Sequence, residues 1–310
     1  MSDDLTQPGV FGSFRIPGPL GGLGSNSDTE LGFKGPKGRL AKRPCAFPKI
    51  PRNDLISSLN ERLAEPMAIA QKSSLLCGPA SLMYLLATYK PNIYQSFVTD
   101  LYEYGEAMLG SLRVKPGADC KNFDLRGRLA AADWVALAGL RDSENLFFDV
   151  DSLSQTWPLS WINGIAGINL PNHIESWLEA TNFSVVENNT NLYLTKDPDD
   201  FRRAETLFRQ GCQIILFVDA TGIQKGARES SWFGRILTTA NHWVVLREVM
   251  QLTDDSVEFS VFSWGRPDQG ADSRLNDRVF NGNFMVPQDP IPMTLNHWCQ
   301  YFYGYIACKP

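Results

Sequence analysis

Helical spacing of apolar residues prevails in the first half of this chain and apolar strand-like runs in the second, and that change limits the folds open to it. Helical signals come first. Asn53-Asp54 predicts a cap for a helix over 55–65. Pro79 suits the first turn of a helix that runs through Leu82, Leu85 and Leu86 to Tyr89. Pro91 opens another, with Ile93, Phe97, Leu101 and Tyr104 near helical spacing. Residues 133–140 and 173–180 also read as helices, and 111–114 as a short strand. A further helix spans Pro198–Gln210, with Asp197 as its cap and Gly211 at its end. Strands follow: 213–218, His242–Val249, Val257–Trp264 and Tyr301–Cys308. Thr253-Asp254-Asp255 predicts the turn of a hairpin between the second and third of these. Helices first and strands later imply an α+β fold, not alternating βαβ units.

Residues 1–50 are set apart by composition. Nine glycines and six prolines break any regular structure there. Such a segment buries too little apolar surface to offset its ordering entropy. It is expected to be a flexible Gly/Pro-rich arm or a wrapping segment, with 51–310 as the folded domain. The glycines of 18–24 neither follow a strand nor precede a helix, so they do not predict a phosphate-cradling loop.

Several function classes are excluded on charge and spacing. A net charge of -5 argues against a nucleic-acid binder. No apolar run approaches the 18 or so residues of a membrane-crossing helix. The start, Met1-Ser2-Asp3-Asp4, is acidic where a signal peptide is basic, so synthesis in the cytoplasm without a signal peptide is expected. Six cysteines include no CxxC pair, and three histidines are scattered, so no metal site and no cofactor are expected.

The chemistry gathers at Cys77. It stands at a helix start, where partial positive charge favours the thiolate. His242 opens a strand. Partners across the hairpin should sum to about 506, which puts His242 opposite residue 264 and Ser263 beside it, within a residue or two of register. A polar group there can orient the imidazole. Asp254 and Asp255 lie at the far end of the hairpin, more than about 30 Å away along the strand, and are excluded from that role. The Cys77 N–H and the side chain of Gln71 are candidate donors to an oxyanion. His297-Trp298-Cys299 reads as core beside an aromatic strand.

These residues resemble the papain-like cysteine peptidase superfamily. Gln71 precedes Cys77-Gly78 at the family's interval. Asn241-His242-Trp243-Val244 is similar to the family's Asn-His-Ala-Val, and Ser263-Trp264-Gly265 to its Ser-Trp-Gly. Phe262 stands where the family has its asparagine, so the third group is Ser263, another residue such as Asp219, or none. Cys77-Gly78-Pro79-Ala80 looks more like bacterial members, the C39-like peptidases and effector amidases. The resemblance implies a helical lobe over about 51–195 carrying the cysteine and an antiparallel β-rich lobe over about 196–310 carrying the histidine. It implies a hydrolase that cleaves a peptide or amide bond through a thioester. The substrate would be a peptide, a protein or peptidoglycan. By analogy with secreted effectors and toxins, it also implies export by a non-Sec route of the type VI kind, and an immunity or inhibitor protein as partner. The same fold used for acyl transfer or for protein binding without catalysis is the alternative.

Overall fold

The computed structural model describes residues 45–71, 76–144, 170–219, 242–263 and 294–310. The expected arm lies outside them, except for its last six residues. Those six are part of the fold: Phe47 and Ile50 are buried in the core, and the Tyr102 hydroxyl donates to the Ile50 carbonyl at 2.9 Å. The packed region therefore starts before residue 51.

The first half is helical, as the spacing predicts. Helix α1 spans Arg52–Ala64 and buries Leu55, Leu59 and Arg62, one stripe at helical spacing. It starts directly after the extended Pro51, so Asn53 and Asp54 lie in its first turn and do not cap it. Helix α2 spans Cys77–Tyr89. Ten of its 13 residues are buried, so it is a central helix without a polar face. Helix α3 spans Pro91–Tyr104 and ends at Gly105, whose φ of 72° gives the left-handed turn that stops a helix. A small hairpin pairs β1 (Ala107–Leu109) with β2 (Leu112–Val114). Helix α4 covers Ala118–Asn122. One helical run then passes from α5 (Ala131–Asp133) through a π-helical turn (Trp134–Ala138) into α6 (Gly139–Ser143). Helix α7 covers Pro171–Ala180.

The second half builds the sheet. Strand β3 (Ser184–Asn188), which its spacing does not reveal, precedes α8 (Pro198–Arg209). Asp197 caps α8 in a capping box with Asp200, as expected. Then come β4 (Gln213–Val218), β5 (His242–Leu252), β6 (Val257–Phe262), α9 (Leu295–Trp298) and β7 (Phe302–Lys309). All pairings are antiparallel, in the order β3-β7-β4-β5-β6. The protein is thus a mixed α+β fold with an antiparallel sheet.

Each face of this sheet has its own core. Ile215, Phe217, Trp243, Val245 and Phe262 pack with the helices of the first half. Leu216, Val244, Leu246, Val261 and Phe302 pack with α8 and α9. Period-two alternation along each strand produces this division. The expected split into a helical lobe to 195 and a β lobe after it is corrected here. Strand β3 lies inside the first segment, and one face of the sheet shares its core with the helices. His297-Trp298-Cys299 falls where expected, with Trp298 fully buried in the α8 side of the core.

Gly304 of β7 shows how tightly the chain closes on itself. Its φ is 119°, and a Cβ built there would lie 1.9 Å from the Asn189 carbonyl oxygen. Gly211 also has a positive φ, 85°, but a Cβ there meets nothing within 4 Å. Backbone strain alone costs about 1 kcal/mol, whereas strain with a backbone clash costs about 3 kcal/mol or more. Urea unfolding should therefore show a large midpoint shift for Gly304→Ala and a small one for Gly211→Ala.

Candidate active site

Three stretches distant in sequence meet where α2 begins. Cys77 is the first residue of α2, after Leu76 at φ -109° and ψ 22°. It is 4% exposed. Its sulfur accepts backbone hydrogen bonds from Trp243, the residue after His242, and from Gly78. One ring stack ties α2 to the sheet, and a second lies within the sheet beneath it. Tyr84 of α2 lies 4.2 Å from Phe262 of β6, and Trp243 of β5 lies 4.2 Å from Phe217 of β4.

His242 opens β5 and pairs with Val218 of β4. Its Nε2 is 2.8 Å from the Ser263 hydroxyl, and both residues are buried. The hairpin register explains this bond. Leu252 pairs with Val257 beside the turn, and two register shifts later Val245 pairs with Phe262. The expected juxtaposition of His242 with Ser263 is therefore present. Phe262, standing where the resembled family has asparagine, is committed to the stack on Tyr84 and cannot turn to the imidazole. Asp254, at the far end, pairs with Arg202. Trp264 and Gly265 lie outside the described residues, as does Asn241.

The sheet's alternation matters for the chemistry. Trp243 belongs to the face under α2, and Val244 and Leu246 belong to the opposite face. By that alternation His242 and Ser263 go with Val244 and Val261. Their bonded pair occupies the strand ends, and the sulfur comes to the same edge from the α2 side. Asp219, also buried, follows β4 at this edge, where its N–H donates to the Tyr301 carbonyl at 2.8 Å.

Gln71 is 1% exposed and follows a short 3-10 turn, Pro66–Ala68. The residue before it, Ala70, donates its N–H to Asp133 Oδ2 at 3.1 Å. Asp133 in turn takes a two-pronged bond from Arg62, at 3.0 Å and 2.8 Å. Arg141, at 7% exposure, is a further cation whose charge is felt at Cys77. Neither Arg62, Asp133 nor Arg141 is distinguishable in sequence from a surface charge, because only burial gives each its role.

Burial dominates the electrostatics. It raises the Cys77 thiol above its ordinary value, against the pull of the Trp243 and Gly78 N–H groups and the Arg141 charge. The lowered thiol pKa expected at a helix start is thus overridden by desolvation. Burial also takes the His242 imidazole down to about 3. Both groups are neutral near pH 7. Among the described residues no group of three metal-ligating side chains occurs, and no helix is long and apolar enough to cross a membrane. A cleft of about 410 Å³ between α1 and residues 124–131 is lined by none of Gln71, Cys77, His242 and Ser263. No family model, curated protein or solved structure matches the chain.

The histidine has a measurable consequence. Unfolded, it binds a proton below its ordinary 6.5; folded, it stays neutral down to about 3. Its contribution to stability is full above pH 6.5 and is lost as pH falls through that window, by up to about 1.4 kcal/mol per pH unit. Denaturant titrations from pH 7 to 4 should show a shallower loss in His242→Gln than in the unaltered protein.

Proposed function

We propose that the chain is a papain-like, cysteine-dependent hydrolase of peptide or amide bonds. What supports this is one observation: the Cys77 sulfur lies on the N–H of Trp243, next to a histidine whose Nε2 is bonded to Ser263. In this reading Nε2–H donates to the Ser263 hydroxyl, which leaves Nδ1 with the lone pair. Nδ1 takes the thiol proton as sulfur attacks the carbonyl carbon. The new S–C bond makes a tetrahedral oxyanion, held by the Cys77 N–H and the Gln71 side-chain amide. The oxyanion collapses, the C–N bond breaks, and the amine leaves with the imidazole's proton. Water then adds to the thioester by the same route and restores the thiol.

Proton transfer requires the imidazole to come round the start of β5 to the sulfur. That movement breaks the Nε2–Ser263 bond and shifts a buried ring, so this reading requires a local rearrangement at the start of β5. The buried neutral thiol favours a second reading, the same fold used for protein binding without catalysis.

Incubation with a peptide mixture and with peptidoglycan fragments, followed by mass spectrometry, separates the two. Hydrolysis predicts cleavage products that vanish in Cys77→Ala. His242→Ala should slow cleavage about 10²–10⁴-fold, and Gln71→Ala about 10²–10³-fold, with unfolding midpoints showing that each variant is folded. Cleavage that persists in Cys77→Ala overturns the mechanism. Binding without products supports the second reading.

A further inference from the structure

Arg62 and Asp133 form an ion pair in the protein's interior, at 1% and 0% exposure. Such a pair is a poor source of stability. Removing two charges from water costs several kcal/mol per ion, and a well-packed apolar pair often serves as well or better. Its geometry nevertheless leaves little slack. Arg62 Nε and a terminal nitrogen meet the two Asp133 oxygens, and Oδ2 also accepts the Ala70 N–H. Three N–H donors on two oxygens call for a carboxylate, since a carboxylic acid O–H would face donors. Burial opposes the charge on both groups, and the Asp133 contact nevertheless holds the Arg62 guanidinium above its ordinary value. Ser58 adds a further tie, its hydroxyl accepting the Ala132 N–H at 3.0 Å. Arg62 also reaches Glu61 and the Ser58 carbonyl of its own helix, and through Asp133 Oδ2 the pair holds the backbone one residue before Gln71.

We propose that the Arg62–Asp133 pair positions the Gln71 segment as one wall of the oxyanion site, with Asp133 as a positioning residue. The inference rests on the hydrolase reading above. The placement of the pair agrees with this role. Asp133 lies in the first turn of the helical run that carries Arg141, whose charge acts on Cys77, so one element serves both the thiol and the segment ending at Gln71. A donor to an oxyanion must sit within a few tenths of an ångström of its mark, and a loop reaches that precision only when its backbone is tied to a rigid element.

The test compares two reactions of Cys77 in the full chain, each read at that residue by mass spectrometry. Acylation by p-nitrophenyl acetate passes through an oxyanion; alkylation by iodoacetamide does not. Asp133→Asn should slow acylation about tenfold or more, the effect of a misplaced oxyanion donor, while alkylation stays within about twofold. Gln71→Ala should slow acylation as well, and the double variant should be no slower than Gln71→Ala alone, because residues acting through one group do not add. A purely structural role would lower both reactions together or multiply the two losses. Either result, or unchanged acylation in Asp133→Asn, overturns the inference while leaving the hydrolase reading standing. A wild-type Cys77 that accepts neither reagent overturns that reading, and this inference with it. If Asp133→Asn does not fold, Ala70→Pro is scored on the same two rates. It deletes the N–H and keeps the ion pair, and Ile69, at φ -60° and ψ 123°, already has the conformation a residue before proline adopts.

Discussion

The contact between α2 and the sheet edge at β5 is the constraint on which the candidate site depends. Residues 77 and 243 are far apart in the chain, and this packing brings the thiol onto the Trp243 N–H. An apolar helix with almost no polar face must be buried, and the sheet face carrying Phe217, Trp243, Val245 and Phe262 is the surface that buries it. The stack of Tyr84 on Phe262 then fixes how α2 sits on that face. With α2 seated, its first residue falls at the start of β5, and the thiol meets the backbone beside the histidine. The site follows from core packing, and the polar bonds refine it.

That dependence has an electrostatic cost. The packing around Cys77, His242 and Gln71 strips water from all three. In such surroundings a thiolate–imidazolium pair loses hydration that the helix start and two backbone N–H groups only partly replace. Burial thus favours the neutral thiol at Cys77 and the neutral imidazole at His242. A reaction at this site has to form charge at the moment of attack, which makes the placement of fixed donors matter more than the resting charge of the nucleophile. The buried Arg62–Asp133 pair fits that need, because it trades stability for a fixed backbone position.

Much of this was legible in residues alone. The helices and the later strands follow from spacing, caps and prolines, and β4 coincides with its apolar run. The bond between His242 and Ser263 follows from counting back from the Thr253-Asp254-Asp255 turn, since antiparallel register is set locally. The two register shifts within β5 were not foreseeable, yet they moved the pairing by little enough that Ser263 stayed within reach. What could not be read was anything that depends on depth. Arg62, Asp133 and Arg141 carry charges that sequence reading sends to the surface. Strand β3 is an edge strand whose positions alternate only between exposed and half-buried, so it carries no clear apolar signal. The start of the fold was placed after residue 50 by composition, although Phe47 and Ile50 anchor the chain before that.

The amino-acid order by itself determined the kinds of element, their sequence along the chain and the short-range pairing within the hairpin. These are settled by local backbone preference and the period of the apolar residues. Only the tertiary structure decided which face of the sheet α2 covers, and hence which strand end its cysteine meets. It also decided that the thiol is raised and that an ion pair grips the approach to Gln71. Those outcomes turn on desolvation and long-range packing, which belong to the assembled volume and not to any segment of the chain.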